Sequence, residues 1–195
     1  MKTQIKEIEI NDLNYIADIW KKSLPSDFFS VLGKSFIIKV YFKAFFNLEK
    51  KIGFKIILND KIVGFVLYGR FDKLINEIIK KKFTSLFFSS IKSLFLNFRS
   101  TYVIFNVIIF KFLIRNFNYL NDNNTELLVI AIDPTFHRQG LGTKLINESI
   151  DIIKKINFTK EIYVKTQLKN PIFYEKCNFK LVKRVFGRFF LVRML

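Results

Sequence analysis

The sequence predicts an α+β chain in which strands and helices alternate around a central sheet, and three observations carry this. Residues 54–58 and 62–68 are strand-length apolar runs joined through Asn59-Asp60-Lys61, a combination that favours a tight antiparallel hairpin. Residues 126–132 are continuously apolar after Glu126, a helix-length apolar pattern follows over 143–156, and 161–166 is strand-like again. Two further strand-like segments, 180–186 and 189–194, meet at Gly187-Arg188.

In chain order, residues 6–10 alternate apolar and charged side chains as a half-buried strand does, and Asn11-Asp12 supplies a helix cap before Leu13, Ile16, Ala17 and Trp20. Residues 25–47 place Phe28, Phe29, Leu32, Phe36, Ile37, Val40, Tyr41 and Phe45 at helical spacing, broken near Gly33. After the hairpin, residues 71–122 turn helical and amphipathic, which reads as an insertion of two or three helices. The strand-helix-strand crossover comes next, then a short helix opening at Asn170-Pro171, then the closing strand pair. The expected organisation is one domain over residues 1–195 with the insertion at about 71–122.

Composition excludes several classes of function. The 195 residues contain one cysteine, Cys177, and one histidine, His137, so a disulfide framework and a His/Cys zinc site within the chain are excluded, and no metal is expected. A reducing cytoplasm suits such a chain, and the polar first residues lack the apolar core of a signal peptide. The most apolar stretch, 102–114, is interrupted by Asn106 and Lys111 and closed by Arg115, short of the roughly 20 residues that a membrane span needs. A formal charge of +17 favours anionic partners or a solvated basic surface. No nucleic-acid-binding motif accompanies it.

Between the apolar run and the helix after it lies Pro134-Thr135-Phe136-His137-Arg138-Gln139-Gly140-Leu141-Gly142-Thr143. Backbone amides at a helix start have no intrahelical partner and sit at the positive end of the helix dipole, so they bind anions where side chains leave access. Gly140 and Gly142 leave it, and His137 and Arg138 add donors and positive charge.

Residues 126–134 with this turn resemble motif A of the GNAT superfamily of acyl-CoA N-acyltransferases, whose turn reads Arg/Gln-x-x-Gly-x-Gly/Ala, with His137 in place of the family's Arg or Gln. Asn170-Pro171-Ile172-Phe173-Tyr174-Glu175-Lys176-Cys177-Asn178-Phe179 is similar to the family's motif B, with Asn178 in place of a glycine. That replacement is tolerable because Asn follows Gly in its acceptance of the left-handed conformation that ends a helix. The resemblance spans nearly the whole chain apart from the insertion. It implies an α+β (α/β three-layer) fold with a mixed, mostly antiparallel central sheet flanked by helices, and acetyl-CoA (coenzyme A) as cofactor.

It also implies a set of site residues. The turn His137, Arg138, Gln139, Gly140, Leu141, Gly142 and Thr143 would take the pyrophosphate. Backbone groups of Ile130 and Ile132 would meet the pantetheine arm where two strands splay apart. Asn170 would bond the same arm; Phe173 would lie beside the cofactor, with a core aromatic of the short helix as the alternative, and Lys176 would contact its phosphates, with a solvated surface lysine as the alternative. The acceptor amine must be neutral to attack, and Glu126 matches the position of the family's general base, with a solvated strand-start residue as the alternative. Tyr174 occupies the general-acid position, from which it would protonate the departing thiolate. Cys177 reads as packing, because no histidine other than His137 exists to activate it.

The expected activity is transfer of an acetyl group from acetyl-CoA to a primary amine, on an amino sugar or other small anionic acceptor. The alternatives are a protein N-terminal or lysine acetyltransferase and a non-catalytic acyl-CoA-binding module. The basic insertion resembles that of a bacterial subgroup which also carries an early run like Val31-Leu32-Gly33-Lys34-Ser35-Phe36. It reads either as a lid, with peripheral contact to an anionic membrane, or as a homodimer interface.

Overall fold

The computed structural model describes residues 2–80, 124–167, 171–185 and 187–195. The chain opens with β1 (Thr3–Glu7), a 3-10 turn (Ile10–Asp12) and α1 (Leu13–Ser23), followed by α2 (Phe28–Leu32). Three abutting helical pieces, Lys34–Phe36, a π-helical Ile37–Phe42 and Lys43–Phe46, form α3. Then come β2 (Ile52–Leu58), β3 (Lys61–Gly69) and α4 (Phe71–Lys80). Beyond residue 123 lie β4 (Thr125–Ile132), α5 (Leu141–Lys155), β5 (Glu161–Gln167), α6 (Pro171–Glu175), β6 (Lys180–Val185) and β7 (Arg188–Met194). The insertion is helical over α4, and its remainder lies outside the described residues.

The seven strands form one sheet in the order β1-β2-β3-β4-β5-β7-β6, antiparallel throughout except for the β4–β5 pair. This is the mixed, mostly antiparallel sheet that the resemblance implies. The β2–β3 hairpin turns through Asn59 and Asp60, both at positive φ (49° and 61°), as a type I′ turn requires. The parallel pair follows from the α5 crossover, since antiparallel pairing needs no such connection.

Each face of the sheet carries its own core. On one side α1, α2 and α3 bury Ile16, Trp20, Phe29, Tyr41, Phe42 and Phe45 against Phe65 and Leu67. On the other, Leu145, Ile146, Ile150 and Ile153 of α5 pack with Ile56, Val66, Leu127, Ile162 and Val164. The alternation of side chains along a strand sends successive residues of β3 and β4 to these two cores.

The first strand occupies Thr3–Glu7 instead of the expected 6–10, and Asp12 does not cap α1 through its side chain. Its carboxylate instead accepts from the Glu9 amide (2.7 Å) and from Lys55 of β2, in a pair whose side chains are 13% and 8% exposed. The Lys55 ammonium is a stronger partner than a backbone amide, and it ties the start of α1 to the sheet. Lys55→Met is expected to destabilise the fold by about 3–5 kcal/mol, because the Asp12 carboxylate stays buried without its cation. Urea unfolding monitored by circular dichroism checks this.

Candidate active site

The site begins with a defect in β4. In its pairing with β3, Leu67 faces Val129 and Tyr68 faces Leu127, so Leu128 is an extra residue with no partner. A bulge of this kind bends and twists its strand. On the other edge, β4 pairs with β5 only through Thr125, Glu126 and Leu127, opposite Ile162, Tyr163 and Val164. Pairing stops where the bulge begins, yet β5 continues to Gln167 fully paired with β7. The two parallel strands therefore part into a V with its vertex at Leu127 and Val164.

The alternation of an antiparallel ladder decides what points into that V. The Asp133 amide donates to the Val63 carbonyl (2.8 Å), which makes Asp133 and Val63 a hydrogen-bonded pair. The neighbouring pairs Gly64–Ile132 and Val66–Ile130 are then non-hydrogen-bonded, so the N–H and C=O of Ile130 and Ile132 face away from β3 into the opening. The Ile132 carbonyl has partners there, accepting from Ser23 Oγ of α1 (2.7 Å) and from His137 Nε2 (2.8 Å). A carbonyl only accepts, so His137 carries its proton on Nε2 and leaves Nδ1 facing elsewhere. Among the described residues, the polar groups left to an arm lying in the V are both backbone groups of Ile130 and the amide of Ile132.

The turn after β4 is built by its own side chains. Asp133 accepts from the Thr135 amide (3.0 Å) and hydroxyl (2.8 Å), which closes a 3-10 turn over Pro134–Phe136. The Thr135 bonds contribute to holding the Asp133 carboxyl below the usual carboxylate range, with Lys22 and His137 nearby, although burial pulls the other way. Arg138 (φ 60°) and Gly140 (φ 75°) are both left-handed, and Gly140 is the N-cap of α5 with no side-chain hydrogen bond to the first turn. The first amide to return to the helix is that of Lys144, bonded to the Gly140 carbonyl (3.0 Å), so the amides of Leu141, Gly142 and Thr143 lack intrahelical partners. His137, Arg138, Gln139 and Gly140 are exposed around them.

Gly140 and Gly142 serve different ends. A Cβ on Gly140 would meet nothing within 4 Å, so its value is the left-handed conformation and an unobstructed approach. A Cβ on Gly142 would come within 3.3 Å of the Phe173 ring. The absence of a side chain there lets Phe173 of α6 sit against the start of α5. Phe173 in turn packs edge-on against Tyr174, with ring centroids 5.1 Å apart.

Tyr174 is buried in the α5-side core and packs on Phe179. Among the described residues its hydroxyl has no hydrogen-bond partner, and burial, with a lesser contribution from Cys177, pushes the phenol well above its ordinary value. The turn that follows α6 ends at Asn178, which is left-handed (φ 61°), and the Phe179 amide returns to the Tyr174 carbonyl (3.1 Å). Cys177 is fully buried; burial raises its thiol, against a lowering hydrogen bond from Thr143. Lys176 is exposed on α6. Asn170 lies outside the described residues.

Glu126 is the second residue of β4 and lies at the vertex, only 4% exposed, so it is no solvated strand start. Leu127 belongs to the α5-side core, so its neighbour Glu126 projects from the opposite face. Tyr174 and Glu126 therefore lie on opposite faces of the sheet. Glu126 Oε2 accepts from Lys165 Nζ of β5 (2.9 Å), while Oε1 is buried without a partner among the described residues. Sequence reasoning missed both Ser23 and Lys165. The first lies 109 residues from the carbonyl it meets, and the second needs the β4–β5 register to be seen.

This arrangement suits a long cofactor with an extended amide arm and a pyrophosphate. Such an arm would find outward backbone groups on β4, and the anion would find three amides without intrahelical partners just beyond the same strand, next to Arg138. Among the described residues, no group of three or more His, Cys, Asp or Glu is placed to hold a metal, and no helix is long and apolar enough to cross a membrane.

Comparison with known proteins agrees with this reading. Residues 16–179 match the acetyltransferase (GNAT) family. No sequence match was found among curated proteins. Among solved structures, the PaiA N-acetyltransferase of Thermoplasma acidophilum in complex with coenzyme A is 15% identical, with TM-score 0.59 and 100% of each chain covered. A Vibrio cholerae spermidine N-acetyltransferase chimera is 15% identical, with TM-score 0.62 over 100% of this chain and 96% of its own. An acetyltransferase of the GNAT family from Streptococcus pneumoniae is 15% identical, with TM-score 0.58 over 100% and 99%. The parted β4–β5 pair, the open helix start beside it and the match over residues 16–179 lead to one conclusion: this chain belongs to the GNAT family and is an acyl-CoA-dependent acetyltransferase that uses acetyl-CoA.

Proposed function

We propose that the protein transfers an acetyl group from acetyl-CoA to a primary amine on a small acceptor. The observation that supports this most is Glu126, buried next to the point where β4 and β5 part, with Oε1 unpartnered among the described residues. Acetyl-CoA, when bound, supplies an activated acyl group and a thiolate leaving group. In this reading the first-turn amides of α5 with Arg138 hold its pyrophosphate, and Ile130 and Ile132 orient its arm. Glu126 takes a proton from the acceptor amine on one face. Tyr174, on the other, donates to the sulfur as negative charge develops there. The phenol keeps its proton because burial disfavours the phenolate.

Asn170 and Lys176 are assigned by motif position, Asn170 to the arm and Lys176 to the phosphates. The basic balance of the chain, +17 overall, suits an acceptor that carries an anionic group, such as a nucleotide-linked amino sugar. Acetyl-CoA turnover is to be measured against a panel of amino sugars, polyamines, free lysine and peptides with free N-termini. Turnover confined to small primary amines, strongest for anionic ones, is the expected outcome. Turnover confined to peptides would move the assignment to a protein acetyltransferase, and turnover with no amine in the panel would overturn the reading.

A further inference from the structure

Lys165 is the first β5 residue beyond Val164, the last to pair with β4, and its ammonium reaches back across the vertex to Glu126 Oε2 (2.9 Å). Both side chains are largely shielded, 16% exposed for Lys165 and 6% for Glu126. A carboxylate so placed has about four lone-pair sites to satisfy, and hydrogen bonding normally accounts for buried polar atoms. Here the two oxygens differ. Oε2 is bound to Lys165, and Oε1 is buried with no partner among the described residues.

Among the described residues, Glu126 is the only acceptor for Lys165 Nζ. Its neighbour Tyr163 bonds Glu161 Oε2 (2.8 Å) with its hydroxyl. The Glu126–Lys165 pair sits at the point where two strands part. A flexible carboxylate can rotate and present either oxygen, and a charge-assisted bond to one of them removes that freedom.

We propose that Lys165 is a positioning residue for the acetyl transfer, holding Glu126 by Oε2 so that Oε1 is the single free acceptor for the proton of the incoming amine. This rests on the reading of Glu126 as the general base. It assigns different work to the two carboxylate oxygens, and it gives Lys165 an effect on turnover without contact with substrate. A purely structural pair would act differently. It would brace the vertex of the V, and its loss would show in cofactor affinity and in stability.

The test compares Lys165→Met, Lys165→Arg, Glu126→Gln and the double variant Glu126→Gln/Lys165→Met in the full chain. Acetyl-CoA consumption is followed with the amine panel and also with water alone, so that the comparison holds whichever amine is the acceptor. Coenzyme A affinity by calorimetry and thermal unfolding are recorded for each. Lys165→Met is expected to lower kcat roughly 10- to 100-fold with the KM for acetyl-CoA within about twofold of the parent, the signature of a lost orienting contact. Lys165→Arg, which also donates to a carboxylate, is expected to recover most of that loss. In the Glu126→Gln background the Lys165 change is expected to cost nothing further, because the two residues act as one unit.

If Glu126→Gln lowers turnover but Lys165→Met leaves kcat unchanged, the positioning role is wrong while the base stands. Full activity of Glu126→Gln removes the base itself. A Lys165→Met protein that loses coenzyme A affinity in step with kcat, or that adds its own loss on top of Glu126→Gln, shows a structural brace and overturns the proposal. Should Lys165→Met fail to fold, Lys165→Gln and the charge-free double variant carry the same comparison.

Discussion

Tyr174→Phe is expected to reduce acetyl-CoA turnover by roughly 10² to 10⁴, the range for losing a positioned general acid, while coenzyme A affinity and thermal stability stay close to those of the parent. The separation of rate from stability follows from the environment of the hydroxyl. It is carried on a ring held by Phe173 and Phe179, which Phe at this position would still satisfy, and it has no partner among the described residues whose hydrogen bond would be lost. Removing it therefore deletes only what it does for the reaction. Because burial raises the phenol above its ordinary value, the parent keeps its donor protonated throughout the neutral and mildly alkaline range. The loss is expected to be of similar size from about pH 6 to pH 9. Stopped-assay rates over that range check it, and a turnover near that of the parent would make Tyr174 a packing residue.

Gly140→Glu is expected to weaken coenzyme A binding by at least about 100-fold. Two effects act together. A side chain at φ 75° is forced into a conformation that costs about 1–2 kcal/mol for an L-residue. More important, a carboxylate is placed at the unpaired amides of α5, where an anion is to bind, so it competes with the phosphates and repels them. Gly140→Asn separates the two, since Asn tolerates the left-handed region and adds no charge, and it is expected to retain most of the affinity. In the parent the affinity is expected to fall as salt rises, because exposed charges around the turn are screened. Calorimetry across ionic strengths measures all three, and unchanged affinity in Gly140→Glu would place the pyrophosphate elsewhere.

The helix start was legible because its signals are local. Gly140 and Gly142 read as leaving the first-turn amides open, and Asn178 as a left-handed stop, each from the properties of one residue type. The strand and helix periods of β2, β3, α5 and β5 were equally plain, with boundaries off by one or two residues. Asp12 was misread for a physical reason: a side chain that fits a helix cap found a stronger partner in Lys55, 43 residues away.

By itself, then, the sequence determined the order of the described elements, the family and the open helix start after β4, all of which rest on near neighbours in the chain. The V between β4 and β5 is a different kind of fact. It arises from a one-residue bulge at Leu128, visible only in the pairing with β3, and from a parallel register that stops at Val164. The same pairing sets the surroundings of Glu126. It buries the carboxylate, gives Oε2 to Lys165 and leaves Oε1 without a partner among the described residues, although Glu126 and Lys165 lie 39 positions apart. Ser23 and His137 likewise meet at one carbonyl only after α1 has packed on β4. Contacts of this kind are decided by tertiary structure, because register is a property of two strands together and no single strand's pattern contains it.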